Sequence, residues 1–147
     1  MKFVCIMGNS EFKKEKLAVY LEKIGFKRNK KITTDFKFVG SNDYKVVSNE
    51  KMQLLIDGNK LINCKIEDNL YYASQKPFGA TRYTEKVDEN TLKDFKSIYK
   101  NQIISVYIKD TESDICDKAD IIVESYENVN NAIAYILKAI KEREELI

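Results

Sequence analysis

Ile103-Ile-Ser-Val-Tyr-Ile108 leaves little freedom in the choice of architecture. Apolar and polar residues barely alternate along it, so a strand formed here is buried on both faces. Such a strand belongs to a mostly parallel sheet with helices packed above and below. The rest of the chain supplies those parts. Lys2–Met7 is a short buried-strand pattern ending at Gly8, and Arg82–Val87 and Ile121–Val123 are further strand candidates. Leu17, Tyr20, Leu21 and Ile24 recur at helical spacing before Gly25, a suitable C-cap. Leu92, Phe95, Ile98 and Tyr99 mark a second amphipathic helix. Val129, Ala132, Ile133, Ile136, Leu137 and Ile140 mark a third.

Between the first helix and Arg82 the pattern shortens. Phe36–Val39 and Tyr44–Val47 read as small strands around the turn Gly40–Asp43. Ser48 suits the N-cap of a helix running to Asp57, with Gly58 as its stop. Leu61–Ile66 and Leu70–Ser74 predict a hairpin around Glu67–Asn69. The expectation is one domain over 1–147: a three-layer α/β fold with a mostly parallel central sheet and a small antiparallel β insertion.

Composition narrows the chemistry. The chain has 147 residues, 25 basic against 23 acidic, and no histidine. Without imidazole there is no Ser-His-Asp or Cys-His pair and no His-ligated zinc. Cys5, Cys64 and Cys116 lack CxxC spacing and read as reduced core thiols, and no metal site is expected. A net charge of +2 with mixed signs gives no footprint for nucleic acid. No apolar run reaches the ~18 residues of a membrane span, and Met1–Gly8 is too short for a signal peptide, so a cytoplasmic protein is expected.

In a parallel sheet the ligand site lies at the carboxyl ends of the strands. The turn there is Gly8-Asn-Ser-Glu-Phe-Lys-Lys14-Glu15. A phosphate-binding loop, GxxxxGK[ST], needs glycine so that backbone amides close on a phosphate, lysine for its charge, and a hydroxyl for magnesium. Gly8 and Lys14 match. Lys13 replaces the second glycine and Glu15 the hydroxyl residue. Two readings stay open: a phosphate site built from Gly8, Ser10, Lys13 and Lys14, with Lys14 catalytic, or an ordinary strand-to-helix turn with solvated lysines.

Further segments fall in a familiar order. Ile32-Thr-Thr-Asp35 looks like a TTR motif and Asp43-Tyr-Lys-Val-Val-Ser48 like DYxFVS. Asn49–Asn63 follows a helix, glycine and FLE run, and Asn69-Leu-Tyr-Tyr-Ala-Ser74 looks like GNYYGT. Ala119-Asp-Ile-Ile-Val123 looks like YDxVIxN. Through these motifs, co-linear over nearly the whole chain, the sequence resembles the guanylate kinase family. The resemblance implies a P-loop-NTPase-like fold in which about 32–75 corresponds to the nucleoside-monophosphate-binding insertion. It also implies a monophosphate site at Thr34, Tyr44, Asn63, Tyr72 and Ser74, and ATP with magnesium if the chain is active. In that resemblance Asp88 is the counterpart of the acidic residue that ends a family strand.

The same resemblance records losses. Positions that hold phosphate-binding arginines in the family are Asp35 and Phe38 here. Those that recognise guanine are Lys31 and Asn63, and an amide cannot copy a carboxylate's paired acceptors. The arginine-rich lid shrinks to Lys109–Asp120, a stretch carrying Glu112, Asp114, Asp117 and Asp120. Only Lys13, Lys14 and Arg82 are candidates to replace the missing cations. Phosphoryl transfer depends on such clamps, and one arginine finger is worth roughly a thousandfold or more. The expected role is therefore a catalytically impaired guanylate-kinase-like protein that binds nucleotide or a protein partner. The competing readings are an active, divergent nucleoside monophosphate kinase and an unrelated small α/β protein.

Overall fold

The elements follow the predicted alternation in the computed structural model, which describes residues 1–78, 81–112 and 119–145. First come β1 (Lys2–Gly8), α1 (Glu11–Lys23), β2 (Lys27–Arg28), β3 (Lys31–Thr33) and β4 (Tyr44–Val46). Then follow α2 (Asn49–Asp57), β5 (Leu61–Glu67), β6 (Leu70–Gln75) and β7 (Arg82–Lys86). Last are α3 (Glu89–Tyr99), β8 (Ile103–Ile108), β9 (Ile121–Val123) and α4 (Val129–Glu145). The chain divides into two units, Met1–Arg28 with Ala80–Ile147, and Asn29–Gly79.

The first unit is a five-stranded parallel sheet in the order β2-β7-β1-β8-β9. β1 is central, as its apolar run demands. Its side chains alternate between two covered faces. Val4 and Ile6 pack with Leu17 and Leu21 of α1 and Ile136 of α4 in one core. Phe3 faces the other way, its ring centroid 4.7 Å from Phe95 of α3. Each fully buried aliphatic or aromatic side chain of this kind contributes about 1.5–3 kcal/mol. β8 is buried along both faces except at Tyr107, as its composition predicts. Gly25, at φ +102°, takes the left-handed position that ends α1.

Inside β8, Ser105 is a polar residue with a defined partner. Asp120, just before β9, accepts from the Ser105 amide (2.9 Å) and hydroxyl (3.1 Å). Arg143 of α4 pairs with the same carboxylate oxygen at 3.1 Å and donates to the Asn101 and Ile103 carbonyls. One carboxylate thus ties β8, β9 and α4 together.

The second unit holds a four-stranded sheet, β4-β3-β6-β5, and the helix α2. β6 pairs antiparallel with β3 and β5, and β4 joins the edge parallel to β3. The β5–β6 turn is Asp68-Asn69, both at positive φ (50° and 65°), the requirement of a type I′ hairpin. Ser48 accepts from the Lys51 amide and caps α2, and Gly58 ends it.

Four details differ from the sequence reading. Phe36–Phe38 is a 3-10 turn rather than part of a strand, because the Asp35 side chain accepts from the Lys37 amide and holds a local turn. β2 has two charged residues and β3 only three residues, too few for a period-2 signal. Cys5 is buried as expected, but Cys64 is exposed, within the irregularity of β5 between Ile62 and Lys65. Cys116, Asp114 and Asp117 lie outside the described residues.

The Asp120 clamp generates a prediction. Asp120→Ala should lower unfolding free energy by about 1.5–3 kcal/mol, the range for hydrogen bonds to a charged group. Urea melts should show a lower midpoint at unchanged m. In a double-mutant cycle with Arg143→Met the losses should be less than additive.

Candidate functional site

The carboxyl ends of β1, β7 and β8 gather three features of the sequence: Gly8, Lys86 and the start of α1. Gly8 ends β1 at φ +147°. A Cβ there would lie 2.6 Å from the Ile108 carbonyl oxygen, so the approach of β1 to β8 itself requires glycine. After Gly8 and Asn9, Ser10 caps α1 and the helix begins at Glu11. The Lys13 amide donates to the Ser10 hydroxyl (3.2 Å) and the Lys14 amide to the Ser10 carbonyl (3.1 Å). Two amides of the predicted phosphate loop therefore serve the helix.

The side chains at this end form one chain of opposite charges. Glu11 and Glu15 lie four residues apart on α1, a spacing at which two carboxylates repel. Lys86 of β7 stands between them, its ammonium donating to Glu11 (2.6 Å) and Glu15 (2.7 Å). Arg28 of β2 grips both oxygens of Glu15, at 2.8 and 3.1 Å, and also donates to Glu22. The free Glu11 oxygen holds the Lys14 ammonium at 3.4 Å. Lys13 reaches Asp110, beyond β8, at 3.6 Å. The Lys86 side chain is 9% exposed and that of Arg28 7%, so these charges are well removed from water.

The electrostatics follow from the contacts. Arg28 hydrogen bonding holds the Glu15 carboxyl below the ordinary range, with Lys86 adding to it against the cost of burial. At Glu11 burial opposes ionisation, but hydrogen bonding and charge from Lys86, then Lys14, still lower the pKa. Burial of Arg28 opposes its charge, and Glu15 and Glu22 more than offset this.

In the second unit, Tyr72 donates to Asp35 Oδ2 at 2.8 Å. That hydrogen bond lowers the Asp35 carboxyl pKa and pushes the Tyr72 hydroxyl up to about 12. Lys37 also approaches Asp35, at 3.6 Å. The Phe38 ring stacks on Tyr44 at 4.1 Å and meets Tyr72 edge-on at 6.4 Å. Thr34 is a staple: its amide donates to the Tyr71 carbonyl and its hydroxyl accepts from the Tyr71 amide. Ser74 is buried opposite Ile62. Asn63 occupies the bulge of β5 at φ +54°. The fold thus gathers Asp35, Tyr44 and Tyr72, while Thr34 serves the backbone of β6.

Other residues fall elsewhere. Arg82 starts β7 opposite Lys2, at the amino ends of the strands, with its guanidinium 5.6 Å from the Phe26 ring centroid. Asp88 caps α3, accepting from the Thr91 amide at 2.7 Å. Sequence reading missed Lys86 and Arg28. Thr84-Glu-Lys86 held a signal, since three successive polar residues are buried in a strand next to the centre of the sheet.

The Glu15 contacts carry a pH dependence. Because its folded pKa is depressed, its stabilisation is complete above the ordinary glutamate pKa of about 4.3 and is lost as pH falls through the lower folded value. Glu15→Gln should cost about 1.5–3 kcal/mol at pH 7, the range for charged hydrogen bonds. Urea melts at pH 7, 5 and 3 should show this difference shrinking only in the most acidic sample.

Comparison with known proteins sets this geometry in context. No family model matches the chain, and no curated protein matches it. Among solved structures it is similar to the crystal structure of guanylate kinase from Anaplasma phagocytophilum, at 14% identity and a TM-score of 0.66. The match covers 97% of this chain and 86% of that one. At that identity the likeness is one of fold, and the chain has a guanylate-kinase-like α/β scaffold.

Proposed function

We propose that this chain is a guanylate-kinase-like protein that has lost efficient phosphoryl transfer and acts as a nucleotide- or protein-binding module. In this reading 1–147 is one functional domain, with 32–75 as the monophosphate-binding insertion and 109–120 as a reduced lid. The turn from Gly8 to Lys14 is a degraded phosphate loop, in which Gly8, Ser10, Lys13 and Lys14 are the phosphate-facing candidates. Thr34, Tyr44, Asn63, Tyr72 and Ser74 are the monophosphate-facing candidates. Among the described residues no helix is long and apolar enough to cross a membrane, which fits a cytoplasmic role.

The observation that carries the proposal is the use made of the three arginines. Arg28 is bound to Glu15 and Glu22, Arg82 lies over Phe26, and Arg143 is bound to Asp120 and two carbonyls. A transferring phosphoryl group spreads negative charge over its oxygens, and catalysis there is almost entirely electrostatic. Each guanidinium in this chain already has a structural partner. In the second unit the sign at the expected arginine position is reversed: Asp35 is negative and takes the Tyr72 hydrogen bond. A phosphate arriving there meets a carboxylate.

The test is ADP formation from ATP, magnesium and each common nucleoside monophosphate. Turnover should fall below about 0.01 per second, at least a hundredfold under the slow end of typical kinases. Rates of about 1–100 per second, abolished by Lys14→Ala, would establish the active-kinase reading instead. Calorimetric titration then separates the two binding roles. Micromolar binding of a nucleotide supports the first; silence across ATP, GTP and the monophosphates supports a protein partner.

A further inference from the structure

The guanylate-kinase-like fold implies magnesium beside the phosphate loop, and the residues here do not fit it. In a phosphate loop the metal rests on the hydroxyl of the residue after the lysine. That residue is Glu15, whose two oxygens accept from Arg28 while one also accepts from Lys86. Asp88, the acidic residue after β7, accepts from the Thr91 amide as the cap of α3.

A cation already occupies the ground between the carboxylates. The Lys86 ammonium lies 2.6 Å from Glu11 and 2.7 Å from Glu15. A magnesium ion needs oxygens at about 2.0–2.1 Å in near-octahedral array and keeps several waters. Placed on these same oxygens it would overlap the ammonium, and no movement of Lys86 is free of cost, because its side chain is 9% exposed. The charges also balance without a metal. Glu11, Glu15 and Glu22 are met by Lys14, Lys86 and Arg28.

We infer that Lys86 is the resident cation of this loop, standing where the fold implies a divalent metal and excluding one. Lys86 is thus the residue that sets metal specificity here, and removing its charge opens to a divalent cation the lone pairs of Glu11 and Glu15 that it holds, while Arg28 keeps Glu15 in place. The inference rests on reading the Gly8–Lys14 turn as a phosphate-loop position. Its test uses the metal ion alone, so it is decided whether or not any nucleotide binds or turns over.

The experiment is manganese binding to the full chain, read by water-proton relaxation and by paramagnetic broadening of amide resonances. The native chain should show no broadening centred on residues 11, 15 and 86 at ~1 mM metal, the weak end of protein cation sites. Lys86→Met should acquire one site at least tenfold tighter, lost again in Lys86→Met with Glu11→Gln. Lys86→Arg, which keeps the charge, should behave as the native chain. Selective broadening at 11, 15 and 86 in the native chain would overturn the inference, and that measurement needs no variant to fold. A folded Lys86→Met with no gain in manganese affinity would overturn it equally.

Discussion

The Glu15 carboxylate accepts from Arg28 and Lys86 at once, and so joins α1, β2 and β7. Arg28 also reaches Glu22, so two charge pairs hold the two-residue strand β2 to the helix. Stripped of its partners, a guanidinium so far removed from water would cost several kcal/mol. Bound to the Glu15 carboxylate in a bidentate pair, with Lys86 satisfying a further lone pair of that carboxylate, it is tolerable. The consequence is electrostatic as well as structural. The end of the sheet where a phosphate loop would present uncompensated positive charge is here neutralised by the protein's own glutamates.

How much of this the sequence disclosed depends on the range of the interactions. β1 and β8 were legible from continuous apolar runs, and α1 and α4 from helical apolar spacing, each read within a dozen residues. Ser48, Gly58 and Asp68-Asn69 were legible because caps and type I′ turns are set by one or two side chains. β2 was not, since Lys27 and Arg28 become a strand only through pairing with Tyr83 and Thr84, far along the chain. Phe36–Phe38 misled because aromatic content suggested a strand while Asp35 imposed a turn. The glutamates of α1 were visible as residues, but Lys86 enters from β7, 71 residues beyond Glu15. No local pattern encodes that meeting.

Gly8 shows how a motif residue and a packing residue coincide. A glycine at the end of β1 matches a phosphate loop in sequence. In the structure the Ile108 carbonyl makes glycine necessary whatever binds there. Tyr72 is a similar case. It stands at a tyrosine of the resemblance, yet its hydroxyl proton is held by Asp35. In both places the residue persists with a structural partner of its own, while the positions beside it, Glu15 and Asp35, carry the opposite charge from what phosphate chemistry needs.

Carboxyl carbon-13 titration of Glu11 and Glu15 measures that internal neutralisation directly. Both should titrate below the ordinary glutamate pKa of about 4.3, and both should move upward in Lys86→Met. A Glu15 carboxyl that titrates at the ordinary value and ignores the loss of Lys86 would contradict it.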